Sequence, residues 1–148
     1  MGRAADTSGM AGVDEGLLAE LRRTLEAGPD MRLAAVFGST AHGTRHAFSD
    51  VDIGIIPSDG ALSLDDELGL QVALERACRA PVDLVRLDRA ALALRWRVAR
   101  DGVPLIGVAT GAWARFAARA ASEHADMEPA LRRAARLFQR RLAAENAE

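Results

Sequence analysis

The chain has 148 residues, of which 49% are hydrophobic and 4% aromatic, and its formal net charge at pH 7 is −2. This length predicts one domain with a sizeable core, and the weak net charge offers no basic field to attract nucleic acid. No apolar run approaches the roughly 18 residues of a membrane span, and the first residues lack the hydrophobic core of a signal peptide. We therefore expect a cytoplasmic protein that does not associate with a membrane.

Composition also limits the N-terminal segment and the cysteine chemistry. Residues 1–12 are small and polar, which predicts disorder there and a single domain over residues 13–148. Cys78 is the only cysteine, so an internal disulfide is excluded and a reducing compartment fits the sequence. A zinc site is not expected, because His42 and His46 lack a third clustered ligand.

The first part of the chain alternates helical and extended patterns. Asp14 is a suitable N-cap for a first helix, which Gly28-Pro29 ends. Apolar runs predict strands, and apolar residues at helical spacing predict helices. The elements predicted next are strands over residues 33–37, 51–57 and 82–86, a short helix near Ser39, and a helix over residues 64–79. This order predicts an α/β protein in which helices pack on one face of a small mixed β-sheet.

The C-terminal part is predicted to be helical, with one short strand. Asp88 is a candidate N-cap for a helix that Gly102 closes, and Pro104 marks the following apolar run as an edge strand. Because Pro129 suits the first turn of a helix, the pattern predicts a break near Asp126. The expected elements are a helix after Asp88, a strand over residues 103–108, a helix over residues 112–124 and a last helix from Asp126. These helices either complete the core or form a partner surface.

Two carboxylates share one face of the predicted second strand. Asp50 and Asp52 lie two residues apart, which separates them by about 6.6 Å in an extended chain. At an effective dielectric constant of about 20, their repulsion costs roughly 2.5 kcal/mol, and a divalent cation would turn it into attraction. Carboxylate oxygens are ligands that suit Mg²⁺. The alternative is a solvated acidic turn at the mouth of a strand.

Gly38 and Ser39 end the first predicted strand without a bulky side chain. Their backbone N–H groups can therefore approach a phosphate, and a helix that begins there would favour the same anion. The alternative is a glycine turn followed by a serine N-cap, which is compatible with phosphate binding. A phosphate cradle that faces a pair of carboxylates indicates phosphoryl or nucleotidyl transfer.

The spacing of these residues resembles that of a known family. Gly38-Ser39, ten further residues, and Asp50-Val51-Asp52 resemble the G-S-x10-D-x-D signature of the DNA polymerase β-like nucleotidyltransferases. Within this superfamily the chain is similar to the minimal nucleotidyltransferases, the MNT type. MNT proteins are commonly encoded beside a HEPN-type ribonuclease toxin and act as its antitoxin.

Further positions extend the resemblance, and two depart from it. Asp83 matches a third carboxylate on a later strand, and residues 94–106, LRWRVARDGVPLI, are similar to a helix-then-strand segment of the family. Many relatives carry arginine two and four residues after the glycine of the signature, where this chain has Thr40 and His42. Arg45 or a remote arginine would then have to take that role, and the segment around Arg45 is otherwise expected to be a solvated loop.

The resemblance implies an enzyme with a defined set of site residues. It implies that Asp50 and Asp52 are ligands of both Mg²⁺ ions, and that Asp83 completes one metal site and helps to deprotonate or orient the attacking hydroxyl. Gly38 and Ser39 would bind the nucleotide. The implied reaction moves AMP from ATP onto a hydroxyl of the cognate HEPN-type toxin, and pyrophosphate leaves.

Other functions remain open on the sequence alone. A non-catalytic antitoxin would neutralise its partner by direct binding, and Trp113 and Phe116 are candidate exposed contacts for this; the alternative for both is ordinary core packing. Modification of a small molecule such as an aminoglycoside is a third possibility, although no second domain is evident to shape a drug pocket. Direct nucleic-acid binding is not expected, because the arginines of the C-terminal helices lie on wet faces without interleaved aromatic residues.

Overall fold

The computed structural model describes residues 14–42, 50–59 and 61–147. The predicted disorder of residues 1–12 lies outside these ranges, as do Arg45 and His46 and the side chain of His42. The helices are α1 (Glu15–Ala27), α2 (Ser39–His42), α3 (Leu64–Cys78), α4 (Leu92–Asp101) and α5 (Ala112–Glu145). The strands are β1 (Met31–Phe37), β2 (Val51–Pro57), β3 (Val82–Arg86) and β4 (Val103–Ile106). Within the described ranges, no helix combines the length and the apolar character needed to cross a membrane.

The four strands form one mixed sheet in the order β3-β2-β1-β4. β1 is antiparallel to both β2 and β4, whereas β2 is parallel to β3. The parallel pair requires a crossover, which α3 provides between β2 and β3. Pro104 lies on the edge strand β4, where its missing N–H removes no central ladder bond. The mixed sheet and the edge position of β4 confirm the predicted architecture.

Helices cover both faces of this sheet. α1 and α3 pack on one face, as predicted, and the C-terminal helices α4 and α5 complete the core on the other. Buried residues of the first layer include Leu21, Leu25, Ile53, Leu70 and Leu74. The second layer contains Phe37 and Val98, against which the partly buried Trp113 and Phe116 pack. Trp113 and Phe116 therefore take the core alternative that the sequence left open.

Side-chain capping bonds hold the starts of the first and third helices, and Asp14 is the cap that the sequence predicts for the first. The Asp14 carboxylate accepts hydrogen bonds from the backbone N–H groups of Gly16 and Leu17, at 2.9 and 3.2 Å. The Ser63 hydroxyl accepts one from Asp66 N–H at 3.1 Å at the start of α3. Each bond satisfies a donor that has no partner inside the first turn of a helix.

The last helix differs from the prediction of two helices. The break expected near Asp126 is wrong, because one continuous helix runs over residues 112–145 with Pro129 inside it. The sequence around Pro129 contains no glycine and is rich in alanine, so nothing else ends the helix there. The helix therefore continues with one backbone hydrogen bond fewer.

Asp88 does not cap α4 as predicted. The helix begins at Leu92, and its N-cap Ala91 makes no side-chain hydrogen bond. Arg86 instead donates from Nε and Nη2 to the two carboxylate oxygens of Asp88, at 2.9 and 2.7 Å. This bidentate pair holds the Asp88 side chain near the end of β3, and three residues separate Asp88 from the helix.

Candidate active site

Strand register brings three side chains into one row across the sheet. Phe37, at the end of β1, pairs with Asp52 on the antiparallel β2. Asp52 in turn pairs with Asp83 on the parallel β3. Neighbouring strands lie about 4.8 Å apart, and paired residues point to the same face. Two of the three predicted carboxylates are therefore adjacent; we call Asp52 and Asp83 the carboxylate row.

The carboxylate row lies on the face of the sheet that α4 and α5 cover. Strand alternation explains this side, because Val51 and Ile53 are buried in the layer of α1 and α3, so Asp52 between them points the other way. Asp50, the third predicted carboxylate, is exposed and directly precedes β2. Asp83 is also exposed, and Asp52 is partly buried.

Gly38 permits the close approach of the backbone to Asp52. Its φ is +70°, a conformation that side chains with a Cβ rarely adopt. A Cβ built on Gly38 would lie 2.3 Å from Oδ2 of Asp52. The glycine of the signature is thus required both by its backbone conformation and by the carboxylate beside it. Ser39 follows as the first residue of α2.

The surroundings of Asp52 disfavour the ionised form of its carboxyl group. Burial raises the pKa of this carboxyl, and the neighbouring charges of Asp83 and Asp50 raise the pKa further. The guanidinium of Arg97 opposes them by lowering the pKa. A partly buried carboxylate near other negative charges is stabilised by a nearby cation, and a divalent metal ion supplies such a charge.

Arg97 lies at the site, although its place in the sequence predicts only a solvated arginine. Helical periodicity does not reveal which end of the sheet α4 crosses. In the structure, Cζ of Arg97 lies 5.7 Å from the centroid of the Phe37 ring, at the end of the carboxylate row. No local sequence signal marks this contact, since it depends on packing between α4 and β1.

The chemistry of the donor set fits Mg²⁺. Asp50, Asp52 and Asp83 supply hard carboxylate oxygens, and two of them are fixed next to each other by the backbone. Within the described ranges, no three acidic, histidine or cysteine side chains already converge on a point that could hold an ion. Asp50 and Asp83 are exposed, so their side chains have room to turn toward a cation.

Thr40, one of the two departures from the arginine pattern, is buried. It is 4% exposed, and its hydroxyl has no hydrogen-bond partner among the described residues. An arginine with a solvated head would not fit this enclosed position without rearrangement. Thr40 therefore supplies no positive charge at this position.

Residues 19–109 match the family described as Polymerase beta, Nucleotidyltransferase. The match covers more than half of the chain and includes the glycine turn and the carboxylate row. The chain belongs to this nucleotidyltransferase family. It is also 36% identical over 81 residues to Protein adenylyltransferase MntA of Shewanella oneidensis, a match over 53% of this chain and 56% of that protein. The chain thus spans little more than half the length of this relative.

Solved structures of toxin–antitoxin complexes contain similar chains. One, a toxin–antitoxin with AMP-PNP, matches with 27% identity and a TM-score of 0.65 over 79% of this chain and 97% of that chain. Another, a mutant of the toxin–antitoxin MntA-HpeT, matches with 28% identity and a TM-score of 0.61 over 82% and 98%. The nucleotidyltransferase fold is therefore shared over nearly the whole of those chains.

Proposed function

We propose that this protein is a cytoplasmic, Mg²⁺-dependent adenylyltransferase that moves AMP from ATP onto a hydroxyl side chain of a cognate HEPN-type toxin. It would thereby act as the antitoxin of that protein. The observation that carries this proposal is the register of β2 and β3, which sets Asp52 beside Asp83, with the Gly38 turn against the same carboxylate.

Each site residue has a role in the proposed reaction. Asp50 and Asp52 would hold Mg²⁺, and Gly38 and Ser39 present backbone N–H groups to the phosphates. Asp83 completes one metal site, orients the acceptor hydroxyl and takes its proton. The hydroxyl oxygen bonds to the α-phosphorus in line, the bond from that phosphorus to the bridging oxygen breaks, and pyrophosphate leaves. Bound Mg²⁺ would neutralise the carboxylates and the charge that develops on the phosphates.

Relatives support the nucleotide and the type of partner. The Shewanella oneidensis relative is named for protein adenylyltransfer, and one similar structure contains AMP-PNP, an ATP analogue. Both similar structures described above are toxin–antitoxin complexes. These relatives favour ATP as the nucleotide and a toxin as the acceptor.

A radiolabel experiment tests the transfer. The purified protein is incubated with α-labelled ATP, Mg²⁺ and the cognate toxin, and the toxin is then examined for label. Asp50→Asn combined with Asp52→Asn should abolish labelling, whereas Asp65→Asn combined with Asp66→Asn on the exposed start of α3 removes the same charge and should leave it intact. Labelling by the double site variant at the wild-type rate would refute the assignment.

The exposed half of α5 favours docking of the toxin on this helix. The exposed stripe consists of Met127, Leu131, Phe138 and Leu142, which are 47%, 56%, 64% and 43% exposed. Their spacing places them on one face of α5, and the described residues from 129 to 147 are solvent-exposed or nearly so. A row of large apolar side chains outside the core is typical of a protein interaction site.

Charge beside the exposed stripe indicates the chemistry of its partner. Five arginines lie on the same half of the helix: Arg132, Arg133, Arg136, Arg140 and Arg141. By helical spacing, Arg132 and Arg141 border the stripe, one on each side. The complementary surface is an apolar helix face with acidic margins, as in helix-in-groove recognition. The same stripe supports the second candidate function, a non-catalytic antitoxin that neutralises the toxin by covering it.

One pair of variants separates docking from transfer. Phe138→Ser should weaken toxin binding about tenfold or more, because a central aromatic contact is lost. Leu68→Ser on α3 is the control, since Leu68 is also exposed (52%) but lies on the other face of the molecule. Equal binding by both variants would place the toxin elsewhere. Toxin neutralisation that survives Asp50→Asn with Asp52→Asn would favour the non-catalytic antitoxin.

A further inference from the structure

Among the described side chains, the glycine turn and the carboxylate row include no cation for the phosphates of the nucleotide. A triphosphate must enter beside three carboxylates, and Mg²⁺ offsets only part of the resulting negative charge. In this chain, the position two residues after the signature glycine is the buried Thr40, which has no positive charge. Arg45, the candidate close to the signature, lies outside the described residues; within them, such a cation has to come from another element.

We propose that Arg97 of α4 is this cation and that it binds the phosphate groups of the nucleotide at the carboxylate row. The inference rests on the proposed function and names a binding residue for the same site. Arg97 is exposed, and its Cζ lies 5.7 Å from the centroid of the Phe37 ring. Because Phe37 is the register partner of Asp52, the guanidinium lies at the Phe37 end of the carboxylate row.

Packing on both sides holds α4, and hence Arg97, in this place. Val98, the next residue, is fully buried against the sheet. Trp96, the residue before, stacks on His124 of α5 with ring centroids 4.6 Å apart and an interplanar angle of 11°. Arg95 adds an ion pair to Glu123 of α5 at 2.8 Å. The backbone of Arg97 is therefore fixed, while its side chain remains accessible.

Arg97 is also available for a ligand, unlike its neighbours on α4. Arg95 is held by Glu123, and Arg100 is held by Asp101 at 2.7 Å. Within the part of the chain that the structure describes, no carboxylate forms an ion pair with Arg97. Its recorded interactions are the contact with the Phe37 ring and the electrostatic attraction to Asp52.

The geometry suits a guanidinium better than an ammonium group. Arginine presents several N–H donors in a planar fork, which matches the oxygens of a phosphate. The same plane can remain over the Phe37 ring while its edge donates to the ligand. Arg97 would therefore offset the repulsion between the carboxylates and an incoming nucleotide, and it would orient the phosphates before transfer.

The test measures nucleotide binding rather than transfer. The probe is α,β-methylene ATP, whose bridge at the point of cleavage is not broken, and affinity is measured by calorimetry with Mg²⁺ and again with excess EDTA. The variants are Arg97→Ala, Arg97→Lys and the control Arg100→Ala, which removes another exposed arginine about one turn along α4. All of these positions are exposed, and melting curves check that each variant is folded.

Loss of a charged contact to phosphate predicts about ten- to hundredfold weaker binding by Arg97→Ala, both with Mg²⁺ and with EDTA. Arg97→Lys should recover part of this loss, and Arg100→Ala should bind like the wild type. Unchanged binding by Arg97→Ala overturns the inference while the proposed function stands. A loss seen only with Mg²⁺ also overturns it, because Arg97 would then act through the metal site. A wild-type protein that binds no nucleotide and transfers no label would instead refute the proposed function.

Discussion

Asp52 lies directly opposite Asp83 across the parallel ladder of β2 and β3. These two residues are 31 positions apart in the sequence, and the crossover through α3 is what makes them neighbours. Two adjacent carboxylates on a sheet face that helices cover repel each other when both are ionised. Their placement is consistent with a site whose charge balance is completed by a bound cation.

Removing the charge of Asp83 should lower the pKa of Asp52 and slow the transfer of AMP to the toxin. Asp83 raises the pKa of Asp52, so Asp83→Asn should move that pKa down toward its ordinary value in the metal-free protein. Carboxyl ¹³C NMR over a pH titration measures this directly. Transfer to the toxin should fall by about a hundredfold or more, because the variant loses the proton acceptor and metal ligand that we propose for Asp83.

The control for Asp83→Asn is Asp59→Asn, in the exposed turn after β2. It removes one negative charge outside the carboxylate row, so the titration of Asp52 and the transfer rate should stay unchanged. If Asp83→Asn leaves both quantities at their wild-type values, the two carboxylates do not interact and Asp83 has no role in the site.

A site residue can be predicted from the sequence when residues close to it in the chain fix its position. Gly38, Ser39 and the two aspartates around Val51 follow from a short pattern, because a turn and an adjacent strand fix their positions. Asp83 follows only from the family resemblance, since register between strands is not written in either strand alone. Arg97 was missed because its contact with Phe37 depends on where a later helix crosses the sheet.

Asp52 should make the metal-free protein less stable at neutral pH. Burial raises its pKa above the ordinary value of 3.8, so the ionised form is less favourable in the folded protein than in the unfolded chain. This cost is absent below the ordinary value, where the group is protonated in both states, and it develops as the pH rises through the folded-state pKa. Asp52→Asn should therefore melt at a higher temperature than the wild type at pH 7, without metal.

The melting experiment has two internal controls. The advantage of Asp52→Asn should disappear below the ordinary carboxyl pKa of 3.8, and Asp59→Asn, which lies in an exposed turn, should show no comparable gain. Adding Mg²⁺ should raise the melting temperature of the wild type and leave that of Asp52→Asn nearly unchanged. An Asp52→Asn variant that melts below the wild type at pH 7 would contradict the environment described for this carboxyl.

Gly38→Ala should damage the site more than the fold. The positive φ of 70° costs an alanine about 1–2 kcal/mol. The new Cβ would also displace the Asp52 carboxylate, from which it would lie only 2.3 Å away. We expect a loss of unfolding free energy of that size in chemical denaturation, together with at least a tenfold loss of toxin labelling.

Gly111→Ala is the matched control for the backbone effect. Gly111 also has a positive φ, of 80°, but a Cβ there would meet only the end of the Arg115 side chain, at 3.0 Å. The same strain should therefore lower stability by a similar amount and leave labelling intact. If both variants lose labelling equally, general destabilisation and not the position of Asp52 explains the effect.

The sequence predicts the end of a helix correctly where a local capping residue marks it. Asp14 and Gly28 mark the two ends of α1 that the structure retains, because their capping bonds are local. The helix break predicted next to Pro129 is wrong, because a proline suits the start of a helix and is also tolerated, at a cost, in its interior. Asp88 was misread because its carboxylate is bound by Arg86, a partner that competes with the helix terminus.

Two glycine-to-alanine changes should shift stability in opposite directions. Gly54 lies in the middle of β2, and a Cβ there would stand 2.7–2.9 Å from side-chain atoms of Leu87, which is fully buried. Gly54→Ala should therefore lower the unfolding free energy by about 1–3 kcal/mol through overpacking.

Gly69 lies on the exposed side of α3 with nothing within 4 Å of its Cβ position. Gly69→Ala should raise the unfolding free energy by up to about 1 kcal/mol, because alanine loses less conformational entropy in a helix. Urea denaturation of the two variants and the wild type measures both changes, and a stabilising Gly54→Ala would show that Leu87 does not pack against β2 as described.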